Sequence, residues 1–403
     1  MTLSPAKMGR WNKRSLLGQL QKSGRASRAA LSKSLGMSQP TVGKIVDELL
    51  IQGVLEEVES PLTETAGGIE GKMSGLRPGR PGRLLQLDRV HPRFLGIQLG
   101  VTETRLAGLP AGIEGEDRWS VHFSTPQKQF NHVGQWLRQL KDVAKQLPYK
   151  NLWGVLVSVP GIVDESANRV VFSPNLRWIE SADLPQLIRK IWNVPVLLVQ
   201  EERALALGHQ LANPYTEDFL LVDFGDGVGG AMIVQGKPYA SPLPISGELG
   251  HTPVLGNRRP CGCGARGCVE TLVSRRGLLA SFAAAQPGKP HTWPMLVRHI
   301  HKNGVTPWLA QALDAVATTI AGAMNVMGLR RVVITGSLTE LSPSVMEYLS
   351  QAIRNGAMWA RFGKIECASA TRRRMAGLVA VGIDRLVIPI SGQDENPQII
   401  RRS

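Results

Sequence analysis

Three of the four cysteines in this 403-residue chain crowd into one stretch, CGCGARGCVE, at Cys261, Cys263 and Cys268. The spacing is C-x-C-x4-C, and His251 stands ten residues ahead of the first thiol in GELGH. Three thiols and one imidazole make up a closed tetrahedral set for Zn2+. Gly262, Gly264 and Gly267 let the backbone fold tightly around an ion. A disulfide, or a group of buried free thiols, is the other reading of the same residues. So few cysteines, and no apolar leader in MTLSPAKMGRWNKRSLL, point to a cytoplasmic protein, where disulfides are rare. A set with no open position gives the ion a structural role. The chemistry must then lie in what the knot holds in place.

The elements that do the holding have room to form. A hydrophobic share of 43% and a charged share of 20% describe a globular chain of two or three domains. No apolar run is long enough to span a bilayer. The net charge of +15 is unevenly placed: nine lysines and arginines precede the first acidic residue, Asp47. Such a basic segment suits a polyanion, of which nucleic acid is the commonest, or serves as a solubilising face.

The pattern within that segment favours DNA. Leu16, Leu17 and Leu20 lie at helical spacing, closed by Gly24; a second helix follows, with Ser27 as its cap and Gly36 as its end. The third helix opens at Ser38 with Pro40 in its first turn, and Val42, Ile45, Val46 and Leu49 form its apolar stripe. This is a helix-turn-helix, whose last helix enters the major groove by its N-terminal end. Gln39, Thr41 and Lys44 project away from the stripe and are the candidates for base and phosphate contacts, with Ser38 and Arg28 within reach of phosphates. VLEEVES and GRLLQLD pair as a wing, and RPGRPGR presents Arg80 and Arg83 on a proline-stiffened backbone suited to a narrow minor groove. A plain linker, its arginines paired with carboxylates, is the competing reading of that stretch.

Beyond residue 90, apolar strand-like runs alternate with helical patterns, the texture of an α/β fold. Glycine-rich turns follow two strands, at Gly100 and at Gly225 to Gly230. Together, SVPGIVD, SPNLRW, DGVGGAMIVQGK, GELGH and the cysteine cluster resemble the ROK family, named for repressors, open reading frames and sugar kinases. The resemblance implies an N-terminal winged helix-turn-helix followed by a two-lobed actin-like, ribonuclease-H-like sugar-kinase fold. Its expected divisions are residues 1–90 for the head, with wing and linker at about 54–90, then 91–210 for the first lobe. The second lobe, 211–390, carries the zinc knot and a C-terminal helix returning to the first; 391–403 is a flexible tail. Carried over by resemblance, His251, Cys261, Cys263 and Cys268 are the zinc ligands, and Glu248 and Glu270 accept sugar hydroxyls. His251 also touches the sugar, and Gly161, Asn175, Gln200 and Glu201 complete the ligand set. Cys367, far from the cluster, reads as an ordinary buried thiol.

The chain departs from the family's kinases where their chemistry resides. Those kinases carry Asn-Asp at a strand end, the Asp taking the sugar hydroxyl proton; here the pair is Gln200-Glu201. One extra methylene displaces the carboxylate by about an ångström, a shift that costs roughly 10²-fold in such chemistry. Gln98 stands for the Asp of the first phosphate loop, and Asp226 for the hydroxyl of the second. A carboxylate facing a polyphosphate repels it. The reading that follows is a non-enzymatic transcriptional regulator, a repressor, that binds an operator in double-stranded DNA as a homodimer or dimer of dimers. Its body senses a sugar or sugar derivative. An active sugar kinase with an accessory DNA-binding domain is the alternative.

Overall fold

The computed structural model describes residues 5–59, 83–126, 132–147, 149–213, 217–239, 241, 243, 245–288 and 291–388. Arg80, most of the wing and the tail at 391–403 lie outside them.

The head is built from α1 (Pro5–Ser23), β1 (Ala26–Ser27), α2 (Arg28–Leu35), α3 (Gln39–Ile51), β2 (Leu55–Val58) and β3 (Leu84–Leu87). The first helix starts well ahead of its leucines, because nothing in PAKMGRW breaks a helix once the first turn is entered at Pro5. Ser27 caps α2 by accepting from Ala30 N, and Ser38 caps α3 by accepting from Thr41 N. Leu16, Leu17, Leu20, Leu31, Val42, Ile45, Val46 and Leu49 are all buried, so the three apolar stripes close on one another. The strands form an antiparallel sheet in the order β1-β3-β2; β1 is too short to show as a pattern in the sequence.

The first lobe contains β4 (Pro92–Leu99), β5 (Glu103–Pro110), β6 (Val121–Ser124), α4 (His132–Gln146), β7 (Gly154–Val159), the hairpin β8 (Ile162–Asp164) and β9 (Arg169–Phe172), α5 (Leu184–Trp192), β10 (Val196–Gln200) and α6 (Glu201–Ala212). The second lobe contains β11 (Phe219–Phe224), β12 (Val228–Val234), β13 (Lys237–Pro238), α7 (Glu270–Val273), α8 (Arg275–Ala285), α9 (Trp293–Asn303), α10 (Pro307–Met327), β14 (Arg331–Gly336), α11 (Pro343–Gly356) and β15 (Glu366–Ser369). Helix α12 (Arg374–Gly382) follows and ends in a π-turn over Ile383–Val387.

The two five-stranded sheets repeat one topology. In β10-β7-β4-β5-β6, the first three strands are parallel and the last two run antiparallel. In β13-β12-β11-β14-β15, β11, β14 and β15 are parallel and β12 and β13 antiparallel. This is the duplicated ribonuclease-H-like arrangement. Central strands are buried on both faces and so read as nearly continuous apolar runs, as in GVLVSV of β7 and FLLVDF of β11. The one charge in the latter, Asp223, must therefore find a partner. Helix α12 returns to pack on the first lobe. Val379 and Ile383 share a buried cluster with Leu156 and Phe94 of that lobe, and also with Leu16, Leu17 and Leu20 of the head. One apolar core thus runs from the head into the body.

Candidate functional site

A cleft of about 340 Å³ opens between the lobes, a size suited to a small ligand. Gly161, Asn175, Glu201, Glu248, His251 and Glu270 all line it, so strand ends and loops from both halves converge there. Gln200 does not line it: it occupies the N-cap of α6, where its backbone N–H donates to Glu165 at 3.3 Å. The strand-to-helix junction turns position 200 out of the cleft and position 201 into it. Asn175 accepts from Arg276 Nη2 at 2.7 Å.

The cysteine knot forms one wall. The Cys263 and Cys268 sulfurs lie 3.8 Å apart, and Cys261 Sγ lies 3.5 Å from His251 Nδ1. All four donor atoms fall within 4.8 Å of one another, and the cysteines are free rather than disulfide-bonded. Such spacings are those of a tetrahedron whose centre is about 2.0–2.3 Å from each donor, so the residues fit a metal ion of the zinc type. Positive φ at Gly264 (96°) and Gly267 (82°) closes the loop, helped by Cys261 N donating to Ala265 O at 2.9 Å. Burial and the neighbouring sulfurs push the Cys268 thiol up to about 12, so a bound cation is what would let it ionise. With Nδ1 turned to the knot, His251 Nε2 faces Glu248 at 3.7 Å, an arrangement that orients both side chains.

The knot also sets Glu270. Cys268 is followed two residues later by the first residue of α7, and Val228 N donates to Glu270 Oε2 at 3.0 Å. Glu248 is mostly buried, and burial raises its carboxyl above the usual range. Glu202, to which no sequence motif gives a role, also lines the cleft. Burial, reinforced by the Glu201 and Glu248 carboxylates, raises it well above the ordinary value. The site therefore offers a cluster of carboxyl groups as hydrogen-bond partners for a polyhydroxylated ligand.

Two arginines, Arg372 and Arg374, have no motif to announce them either, apart from the run Arg372–Arg373–Arg374 at the start of α12. Cations at that end oppose the helix macrodipole, a sign that acids await them. Arg374, 2% exposed, is ion-paired with Glu201 and donates to Asp117 at 3.1 Å. Arg372 holds Asp223 in a bidentate pair at 2.8 and 2.9 Å. Burial works against an ionised Asp223, but the Arg372 guanidinium outweighs it and holds the carboxyl below its usual range. Arg372 also reaches the carbonyl of Phe224 at 3.1 Å and lies against Gly225 and Gly336, at the mouth of the second glycine turn.

On the head, Ser38, Gln39 and Lys44 are exposed at the N-terminal half of α3, and Thr41 is hydrogen-bonded to Ser38 at 2.8 Å between hydroxyls. Arg28 and Arg83 are not free: Glu57 accepts from them at 2.8 and 2.6 Å, and Arg28 also reaches Asp47 at 3.0 Å. The wing strands bring Glu57 between the two arginines, a pairing that no local pattern announces. Cys367 is half-buried on β15, and burial raises its thiol.

Two ribonuclease-H-like lobes, an acid-lined cleft braced by a His-Cys₃ knot, and a winged helix-turn-helix ahead of them define a DNA-binding head on a sugar-kinase-like body. The chain belongs to the ROK family, whose model matches residues 94–379, and a winged helix-turn-helix DNA-binding model matches residues 12–56. The xylose repressor of Bacillus subtilis is 25% identical over 348 residues, covering 85% of this chain and 86% of its own. An N-acetylgalactosamine kinase of Shewanella is also 25% identical, over 309 residues, but spans 72% of this chain and 97% of its own. The crystal structure of a ROK family transcriptional regulator, a homologue of the E. coli MLC protein, superposes with a TM-score of 0.70 at 20% identity over 94% of this chain and 97% of that one. At that identity the likeness shows the fold. Among the described residues, no helix is long and apolar enough to cross a membrane.

Proposed function

We propose that the protein is a sugar-responsive repressor: its head binds an operator and its body, without kinase activity, senses a sugar or sugar derivative. The observation that carries this over the kinase alternative is the Glu201–Arg374 pair. A general base must have an oxygen free to meet the hydroxyl it deprotonates, and Glu201 Oε1 is already taken by the buried Arg374 guanidinium. The nucleotide side of the cleft supports the same reading, since Asp226 adds negative charge where a polyphosphate would lie. The xylose repressor matches 85% of this chain, more than the body alone makes up, whereas the kinase matches 72%.

In this reading Zn2+ occupies His251, Cys261, Cys263 and Cys268 and fixes Glu248 and Glu270 as hydroxyl acceptors. Asn175, the backbone at Gly161, Glu201 and Glu202 complete the effector's surroundings. Gln39 and Thr41 meet base edges; Ser38, Lys44, Arg28 and, through the wing, Arg80 and Arg83 meet phosphates or the minor groove. A second copy of the chain supplies the other half-site's recognition helix. Effector binding closes the lobes and favours a head orientation that no longer spans two successive major grooves, a coupling on the order of 1–3 kcal/mol.

Thermal shift against a sugar panel, run beside coupled ADP release with the same sugars and ATP, tests the proposal. Stabilisation by at least one sugar is expected, with no turnover above background. Robust turnover abolished in Glu201→Ala would establish the kinase instead.

A further inference from the structure

Helix α12 and its π-turn reach the cleft through Glu201 at one end and meet the head at the other. At the cleft, Arg374 bridges Glu201 and Asp117, and its Nε has no partner among the described residues. Met375 N donates to the other oxygen of Asp117 at 2.8 Å, so the start of α12 is pinned to the same loop. A second tie holds Gln200: its N–H donates to Glu165 at 3.3 Å, and Arg385, in the π-turn, donates to the Glu165 carbonyl at 2.7 Å. Both residues at the strand-to-helix junction are therefore bonded, directly or through one side chain, to this one segment.

The segment is packed closely against α6. A Cβ on Gly377 would lie 1.8 Å from Ala204 O, and one on Gly208 would lie 1.8 Å from Arg373 O. The two helices touch backbone to backbone. At the far end, Asp384 is ion-paired with Arg14 of α1, beside the apolar cluster in which Val379 and Ile383 join Leu16, Leu17 and Leu20. The π-turn that carries Asp384 is a wound-out helical turn of the kind that concentrates at functional sites.

We propose that α12 with its π-turn is the lever that carries occupancy of the cleft to the DNA-binding head, with Arg374 and Asp384 as the positioning residues at its two ends. The proposal rests on the reading of the cleft as the effector site. A ligand hydroxyl that takes a lone pair of Glu201 withdraws part of the neutralisation of Arg374. A buried guanidinium left half-paired is costly, so Arg374 re-seats and carries α12 with it. Because α12 shares one apolar cluster with α1, the head is displaced rather than uncoupled.

Hydrogen exchange on the full-length protein tests the lever without sugar or DNA. Glu201→Gln keeps the shape but weakens the hold on Arg374. Amide protection over residues 374–388 and in α1 is expected to fall on the order of tenfold, the scale of one charge-assisted hydrogen bond. Arg374→Lys, which cannot bridge both acids, gives the same pattern. In the Glu201→Gln/Asp384→Asn double variant, 374–388 still responds and the response of α1 is at least halved. Changes confined to the cleft in both Glu201→Gln and Arg374→Lys, or an α1 response unaltered by Asp384→Asn, overturn the lever. Loss of sugar or duplex binding by the wild-type protein bears on the regulator reading instead, so the two failures are separable.

Discussion

Glu57 governs how much positive charge the head shows to DNA. Hydrogen bonds from Arg83 and Arg28 hold its carboxyl below the usual range, and the same bonds engage both guanidiniums. Exposed ion pairs of this kind are weak, so a phosphate can take the arginines only by displacing Glu57. Glu57→Gln removes the competitor. Arg83 is then released fully, whereas Arg28 retains Asp47 at 3.0 Å. Each additional phosphate neutralised steepens the slope of log K against log salt by about 0.9, which amounts to roughly 3.5-fold between 50 and 200 mM. If one or both arginines reach a phosphate, the slope should steepen by about 0.9–1.8, and affinity at 50 mM relative to 200 mM should rise by roughly 3.5- to 12-fold. Fluorescence anisotropy on a duplex selected from genomic fragments, repeated across that salt range, measures both. An unchanged or shallower slope refutes the reasoning: it means that the two arginines do not meet phosphate, or that they need Glu57 to aim them.

Other substitutions probe the recognition helix, the knot and the cleft. Lys44→Ala should weaken binding across all duplex sequences and flatten the salt slope by about 0.9, whereas Gln39→Ala should change base preference at one or two positions, by about 1–3 kcal/mol each, with little change in slope. Cys263→Ser should abolish the one equivalent of zinc expected per chain by elemental analysis, lower the melting temperature of the body on the order of 10 °C and weaken sugar binding through Glu248 and Glu270. Glu202 has a raised carboxyl in the folded protein, against 4.5 for the ordinary group, so the folded state binds that proton more tightly than the unfolded chain. Stability contributed by this group is therefore intact below about pH 4.5 and falls as pH rises towards the raised value. Glu202→Gln should raise the melting temperature by about 1–3 °C at pH 8 and leave it unchanged at pH 4.5, as differential scanning calorimetry would read.

Features that depend on near neighbours in the chain were legible in the sequence. Ser27 and Ser38 announce their helices because a cap acts within three residues, and the C-x-C-x4-C spacing announces a knot because its ligands share one loop. Features that depend on chain reversal were not. Arg374 meets Glu201 across 173 positions, and Arg372 meets Asp223 across 149, so no periodicity connects them. Asp223 gave a partial signal, as a charge in an otherwise apolar central strand, and the arginine run at the wrong end of α12 gave the other half. Gln200 shows the limit of transfer by motif: of two adjacent residues at a strand-to-helix junction, Glu201 lines the cleft while Gln200, at the N-cap position of α6, does not. The head's arginines show the same limit, since Glu57 reaches them only once the wing strands pair.

The central claim is that a sugar in a catalytically disarmed cleft releases DNA. The most direct measurement is operator anisotropy on the full-length protein, titrated with each sugar that raises its melting temperature, in the absence of nucleotide. At least one such sugar should weaken operator binding by about 5- to 150-fold, and adding ATP should neither enhance the effect nor consume the sugar. Sugars that bind yet leave operator affinity unchanged, or release that requires ATP turnover, would contradict it.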